Sequence, residues 1–417
     1  MVRGFRPTSR FWNAILVALG CFSGSMSVAE AAPNVAQPTK QTAEPTEKKD
    51  FRRFMASLWP EAQARGISRA TFDAAFQGVA LDPKIVALTR KQSEFNRPIW
   101  EYLDGAISSA RLTRGRELAR EWSQALDGIE RAYSVPRSVV LGVWGMETNF
   151  GAFTGSIDVV RALATLAFVR YRGDFFRDEL LNALQILQQD HIDRGKLLGS
   201  WAGAMGQTQF MPSSFLKYAV DGDGDGRRDI WASAPDALAS TANFLRQQGW
   251  QPGLPWGFEV AVPESFDFRN NRQSFSGWES LGLRRMDGKP MPRSGDATLF
   301  LPAGARGPAL LITSNYLVIK TYNSSDAYAL GVALLGDRIF GGQPIRGAWP
   351  KDAPALDLSQ RQEVQRQLQK LGHDVGEPDG KIGSKTREAV RQFQLQRGLV
   401  PDGYADPGVL KELRAAR

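Results

Sequence analysis

Glu147 ends an apolar helical pattern, SVPRSVVLGVWGMETNFG, over residues 134–151. Val139, Val140, Val143 and Trp144 recur at the spacing of one helix face, with Ser134 read as N-cap and Pro136 near the first turn. A carboxyl set against apolar walls loses solvation of its charged form, so its pKa rises and it can hold a proton near neutral pH. A general acid needs that property. The same pattern also suits a glutamate that merely caps or pairs at a buried helix end.

A second stretch, GSWAGAMGQTQFMPSSFLKYAVDGDGDGRRDIW over 199–231, carries two kinds of signal. Gly203, Ala204 and Gly206 let backbone approach a ligand, while Ser200, Gln207 and Gln209 offer hydroxyl and amide groups of the kind that read sugar hydroxyls and acetamido groups. Further on, Asp221, Asp223 and Asp225 alternate ahead of Gly226, with the Arg227 carbonyl next, as in the first half of an EF-hand calcium loop. Position twelve of such a loop falls on Ala232, where a bidentate Glu belongs. Three carboxylates this close repel one another unless a cation joins them, so calcium is expected, and an empty acidic loop on a solvated surface is the alternative.

Scarce residue types exclude other chemistries. Only His191, His373 and Cys21 are present, so a His-rich zinc centre is excluded in practice, and a Ser-His-Asp triad would need one of two badly placed histidines. Carboxylate, hydroxyl and tyrosine chemistry remain. The formal charge of +8 is spread along the chain without a basic block, which suits an anionic polymer or surface better than a nucleic acid.

These groups must be positioned by more than one folded unit, since 417 residues exceed one core of ordinary size. Residues 1–31 have the layout of a cleaved secretory signal: Arg3, Arg6 and Arg10, an apolar run too short to span a membrane, then SVAEAA. Lipid attachment at Cys21 is the alternative. Residues 32–48 lack large apolar side chains and read as a flexible tether. From 49 to 345 the periodicity is mainly helical, with strands expected only at WGFEVAVP and ALLITSNYLVIKTY. Residues 346–356 read as a linker, and 357–417 as a small helical unit in which Pro378-Asp379-Gly380 is echoed by Pro401-Asp402-Gly403. The fold class is therefore mainly α (α+β).

Two resemblances sharpen this reading. GMETNFG and SWAGAMGQTQFMPSSF, with ALATLAF and NYLVIKTYNSSDAYALGVALLGDRI, resemble the lytic murein transglycosylase B family over most of residues 50–340. The stretch QRQLQKLG to GLVPDG resembles the three-helix peptidoglycan-binding module. The family resemblance implies a lysozyme-like catalytic domain with Glu147 as acid and base. It places glycan contacts at Ser200, Gln209, Arg172, Tyr322 and Asn323, with Tyr102 or Tyr316 as a looser match. Phe244 and Leu317 stand where some relatives carry tyrosines, and Asp236 falls where relatives close the calcium loop, one residue later than in them.

The implied reaction cleaves the β-1,4 bond between N-acetylmuramic acid and N-acetylglucosamine. The muramoyl C6 hydroxyl closes an anhydro ring, and neither water nor a catalytic cofactor is used. A hydrolase that adds Asp158, Asp174 or Asp178 as a second carboxylate is the nearest rival, and an inactive wall-binding scaffold is the other. Calcium is expected to be structural. The implied setting is a periplasmic monomer acting on glycan strands, with no transmembrane span.

Overall fold

The structure, a computed structural model, describes residues 46–90, 98–352 and 354–416. The expected export signal, Cys21 and the tether up to residue 45 lie outside them, whereas residues 46–48, also expected in the tether, open helix Thr46–Ser57. The described chain is mainly helical and forms two compact units, one of residues 98–153 and 218–416, the other of 46–90 and 154–217.

At the centre of the first unit, helix Arg137–Thr148 packs antiparallel against helix Asp326–Ile339. Glycines permit the approach: a Cβ on Gly142 would overlap the Val332 carbonyl oxygen, and one on Gly336 the Ser138 carbonyl oxygen. Side chains cannot intervene there, so the two backbones meet. Val139, Val140 and Val143 are buried as expected. Ser134 is not the N-cap, however. It takes a left-handed conformation at the C-terminus of helix Ser123–Tyr133, its amide bonded to the Glu130 carbonyl, and Pro136 starts the next helix. Two helices meet here within three residues, so Ser134 must end the first. Arg137 clamps the junction through Glu130 and Asp127.

A five-stranded antiparallel sheet in the same unit runs, in spatial order, Arg272–Ser274, Asp296–Phe300, Ala309–Ile312, Gly257–Ala261, Arg284–Arg285. The expected strand in ALLITSNYLVIKTY stops at Ile312. Thr313 Oγ1 accepts the Asn315 amide at 3.1 Å and starts helix Ser314–Tyr322, because a capping side chain overrides the β-branched run that follows. Strands Arg272–Ser274, Arg284–Arg285 and Asp296–Phe300 were not anticipated; two are too short to show alternation. They cover a core of Phe258, Phe275, Trp278 and Leu311.

The C-terminal helices Leu358–Lys370, Ser384–Gln396 and Pro407–Ala415 enclose their own core around Val364, Leu368, Val390, Phe393 and Leu410. The sequence repeat has a structural basis. Each Pro-Asp-Gly turn gives its glycine amide to a buried glutamine, Gly380 to Gln365 at 2.6 Å and Gly403 to Gln394 at 2.8 Å. The segment leading into these helices is strapped down: Trp349 packs against Trp100 at 5.9 Å, and the Arg346 and Gly347 amides bond the Glu259 carboxylate.

In the second unit, helices Val159–Phe168 and Phe175–Gln188 pack together, and strand Ile157–Asp158 pairs with Leu198–Gly199. Buried Glu179 accepts both the amide and hydroxyl of Ser213, at 2.9 and 2.6 Å.

Candidate active site

Glu147 occupies the last turn of helix Arg137–Thr148, which Asn149 ends in a left-handed conformation. The following turn folds back on the helix end, with the Gly151 amide on Thr148 Oγ1 at 3.0 Å and the Phe153 amide on the Thr148 carbonyl. Glu147 keeps some contact with solvent, yet its surroundings strip most of the water from the carboxyl. Burial pushes its pKa up to about 7, opposed only in part by a hydrogen bond from Tyr328.

That bond is short: the Tyr328 hydroxyl donates to Glu147 Oε1 at 2.5 Å. Ser325 caps the helix that carries Tyr328, its hydroxyl accepting the Tyr328 amide at 3.3 Å, and Asn323 Oδ1 in turn accepts the Ser325 amide at 3.1 Å. Two further tyrosines feel the glutamate. Burial first, then the charge of Glu147, pushes Tyr102 up to about 12 and Tyr322 well above the usual phenol value. Tyr328 is raised for the same reasons. At neutral pH all three phenols therefore stay neutral, and that of Tyr328 bonds the carboxyl directly. Neutral hydroxyls supply dipoles toward charge that appears during a reaction without holding the carboxyl permanently ionised.

Of the residues expected at the site, Glu147, Tyr322 and Tyr102 come together here, and Asn323 sets the cap beside them. Tyr328 was missed. In SSDAYAL a tyrosine in an apolar run reads as core, and only the crossing of two helices aims its hydroxyl. Tyr316 lies elsewhere, fully buried with its hydroxyl on the Asp326 carbonyl at 3.1 Å. Phe244 packs edge-on against Tyr322 at 4.9 Å, whereas Leu317 is 55% exposed and lines a different cavity.

Ser200, Gln209 and Arg172 belong to the second unit. Ser200 Oγ accepts the Ala204 amide at 3.0 Å, tying the glycine-rich loop together. Gln209, at positive φ, donates its side-chain amide to the carbonyls of Thr154 and Gly206 at 3.0 and 3.1 Å. Arg172 is exposed beside the Tyr171 ring. The candidate second carboxylates are held by arginines: Asp158 by Arg194 at 2.8 Å, Asp174 by Arg170 at 3.3 Å, Asp178 by Arg65 at 2.8 Å.

In the first unit, carboxylate oxygens of Asp221, Asp223 and Asp236 lie within 4.8 Å of one another. Asp236 is fully buried, and its two oxygens accept the amides of Gly222 at 2.7 Å and Asp229 at 2.6 Å. Burial nevertheless raises its pKa, while amides led by that of Gly226 lower that of Asp221. Asp225 stands outside this trio, its Oδ1 taking the Arg227 amide at 2.8 Å. The donors are hard oxygens, the set that suits calcium.

Residues 50–337, most of the chain, match the Transglycosylase SLT domain family. The chain belongs to that family. Residues 358–413 match the putative peptidoglycan binding domain. This SLT-family chain is 34% identical over 236 residues to membrane-bound lytic murein transglycosylase B of Escherichia coli, a match spanning 52% of this chain and 62% of that protein. Among solved structures it is similar to SltB3 from Pseudomonas aeruginosa in complex with NAG-anhNAM-pentapeptide, with 46% identity, a TM-score of 0.81, and coverage of 87% of this chain and 99% of that one. It is also similar to Escherichia coli Slt35 in complex with calcium, with 27% identity, a TM-score of 0.59, and coverage of 70% and 93%. The mainly helical, lysozyme-like organisation expected from the sequence is the one these relatives share.

Proposed function

We propose that this SLT-family protein is a lytic transglycosylase of peptidoglycan in which Glu147 is both acid and base. The observation that carries this reading is a desolvated glutamate at a helix end whose carboxyl is bonded by the Tyr328 hydroxyl, its pKa pushed up to about 7 by burial. Protonated Glu147 donates to the glycosidic oxygen between N-acetylmuramic acid and N-acetylglucosamine. As the bond breaks, the tyrosine dipoles and the sugar's own acetamido group stabilise the positive centre. Ionised Glu147 then takes the proton of the muramoyl C6 hydroxyl, whose oxygen bonds to C1 and closes the 1,6-anhydro ring. Tyr328 fits both states, because its hydroxyl steadies the carboxylate once the proton has left.

Ser200, Gln209, Arg172, Tyr102, Tyr322 and Asn323 are the proposed glycan contacts. Asp221, Asp223 and Asp236, with Asp225 and the Arg227 carbonyl, would hold a structural calcium ion, whose chemistry is to neutralise the clustered carboxylates. The structure of Slt35 with calcium supports this reading for a relative. Export to the periplasm rests on the signal-like residues 1–31, and no described helix is long and apolar enough to cross a membrane.

Mass spectrometry of the sugars released from purified murein tests the reaction. Wild type should leave ends lacking one water that borohydride does not reduce, and Glu147→Gln should release none. Reducible ends would make the protein a hydrolase, and unchanged turnover by Glu147→Gln would remove the glutamate from the mechanism.

A further inference from the structure

Asp326 is the first residue of the helix that carries Tyr328, and its side chain is only 10% exposed. Lys320 Nζ reaches its Oδ1 at 2.5 Å, and Arg387 Nε lies 3.3 Å from its Oδ2 as a charge contact without hydrogen-bond geometry. Arg387 comes from helix Ser384–Gln396 of the C-terminal module. Its side chain, 18% exposed, lies over the Phe300 ring at 5.1 Å and donates to the Leu301 carbonyl at 3.5 Å. Exposed ion pairs contribute little, whereas removing one partner of an enclosed pair leaves the other charge buried without it and costs more.

The neighbouring anchor is different in kind. Arg391, one turn on, donates to the Arg269 and Phe268 carbonyls at 2.5 and 3.4 Å, and Asp402 accepts the Ala305 amide at 3.0 Å. Those contacts dock the module on the sheet side of the unit. Arg387 alone among these anchors meets the helix that aims Tyr328 at Glu147, through its charge beside Asp326. A carboxylate in the first turn favours the helix, and Asp326 shares that turn with Ser325, whose hydroxyl caps the Tyr328 amide.

Building on the role of Glu147 given above, we propose that Arg387 is a positioning residue: through Asp326, the module resembling a wall-binding domain holds the helix turn that sets Tyr328 against the catalytic glutamate. The module would then serve turnover itself, besides any grip on polymer. Without Arg387, Asp326 keeps only Lys320 as a cation partner among those named, and the turn gains freedom to carry the Tyr328 hydroxyl off the carboxylate. The pair borders a cavity of about 420 Å³ that Leu317, Thr298 and Arg272 also line, so truncation at 387 enlarges an existing space rather than emptying a dry core.

The test uses the full-length protein and a short soluble glycan of alternating N-acetylglucosamine and N-acetylmuramic acid, which removes wall binding from the measurement. Arg387→Ala should lower kcat by about three- to tenfold with KM little changed, inside the span of indirect coupling. Its alkaline limb should move to higher pH, as in Tyr328→Phe, because either change removes a bond that favours ionised Glu147. If Arg387 acts through Tyr328, the double variant moves the limb no further than Tyr328→Phe alone. Arg387→Lys should restore part of the loss, and Arg391→Ala should leave the limb in place. Asp326→Asn, folded by the same melting criterion, must shift the limb in the same direction, and it decides the matter should Arg387→Ala not fold.

An unchanged kcat and limb in folded Arg387→Ala would overturn the proposal, as would full additivity with Tyr328→Phe or an equal shift in Arg391→Ala. Turnover that survives Glu147→Gln on this substrate would instead sink the reading of the glutamate.

Discussion

Gly142 and Val332 touch backbone to backbone: a Cβ on the glycine would overlap the valine carbonyl oxygen. This approach, repeated at Gly336 and Ser138, brings the helix of Glu147 close enough to that of Tyr328 for a 2.5 Å hydrogen bond. Gly142→Ala should therefore destabilise the protein by about 1–3 kcal/mol, the usual effect of overpacking, and lower turnover by parting the two groups. Gly128, in helix Ser123–Tyr133, has nothing near its missing Cβ. Gly128→Ala should be neutral or stabilising by up to about 1 kcal/mol. Urea unfolding of both variants compares them, and equal midpoints would contradict the close approach.

The raised pKa of Glu147 predicts two pH effects of definite sign. As an acid the group works protonated, so kcat/KM should fall as pH rises through about 7. For stability, a folded pKa above the ordinary carboxylate value means the folded state holds the proton more tightly. The resulting stabilisation is complete below the unfolded pKa, near 4.5, and is lost as pH rises through about 7. Glu147→Gln, always neutral, should match wild type near pH 4 and exceed it by up to about 3 kcal/mol above pH 8. Equal melting curves at both ends of the range would mean the carboxyl is not desolvated.

Calcium should raise the melting temperature, since Asp236 is buried beside two other carboxylates. At 100-fold excess over Kd the expected gain is about 2.7 kcal/mol, removed by chelator. Asp236→Asn should abolish the gain. Asp225→Asn should reduce it less, because Asp225 stands outside the converging trio. A melt indifferent to calcium and chelator would leave the loop an acidic turn held by its own amides.

Much of this was legible in the residues. The helical periodicity, the Pro-Asp-Gly repeat and the spacing of Asp221 and Asp223 are local patterns with local causes. Local reading failed where neighbours decided the outcome. Ser134 ended one helix instead of starting another because a second helix stood immediately before it. The ALLITSNYLVIKTY run broke at Thr313 because one hydroxyl capped a helix there.

By itself the sequence determined which chemistries were possible: two histidines and one cysteine left carboxylates and tyrosines, and an apolar helix delivered Glu147. Only the tertiary structure decided which hydroxyl meets that carboxyl, and that Arg387 reaches Asp326, 61 positions earlier in the chain. The physical reason is that a pKa and a hydrogen bond depend on what surrounds a group within a few ångströms. Glycines and caps far apart in the chain bring those surroundings together.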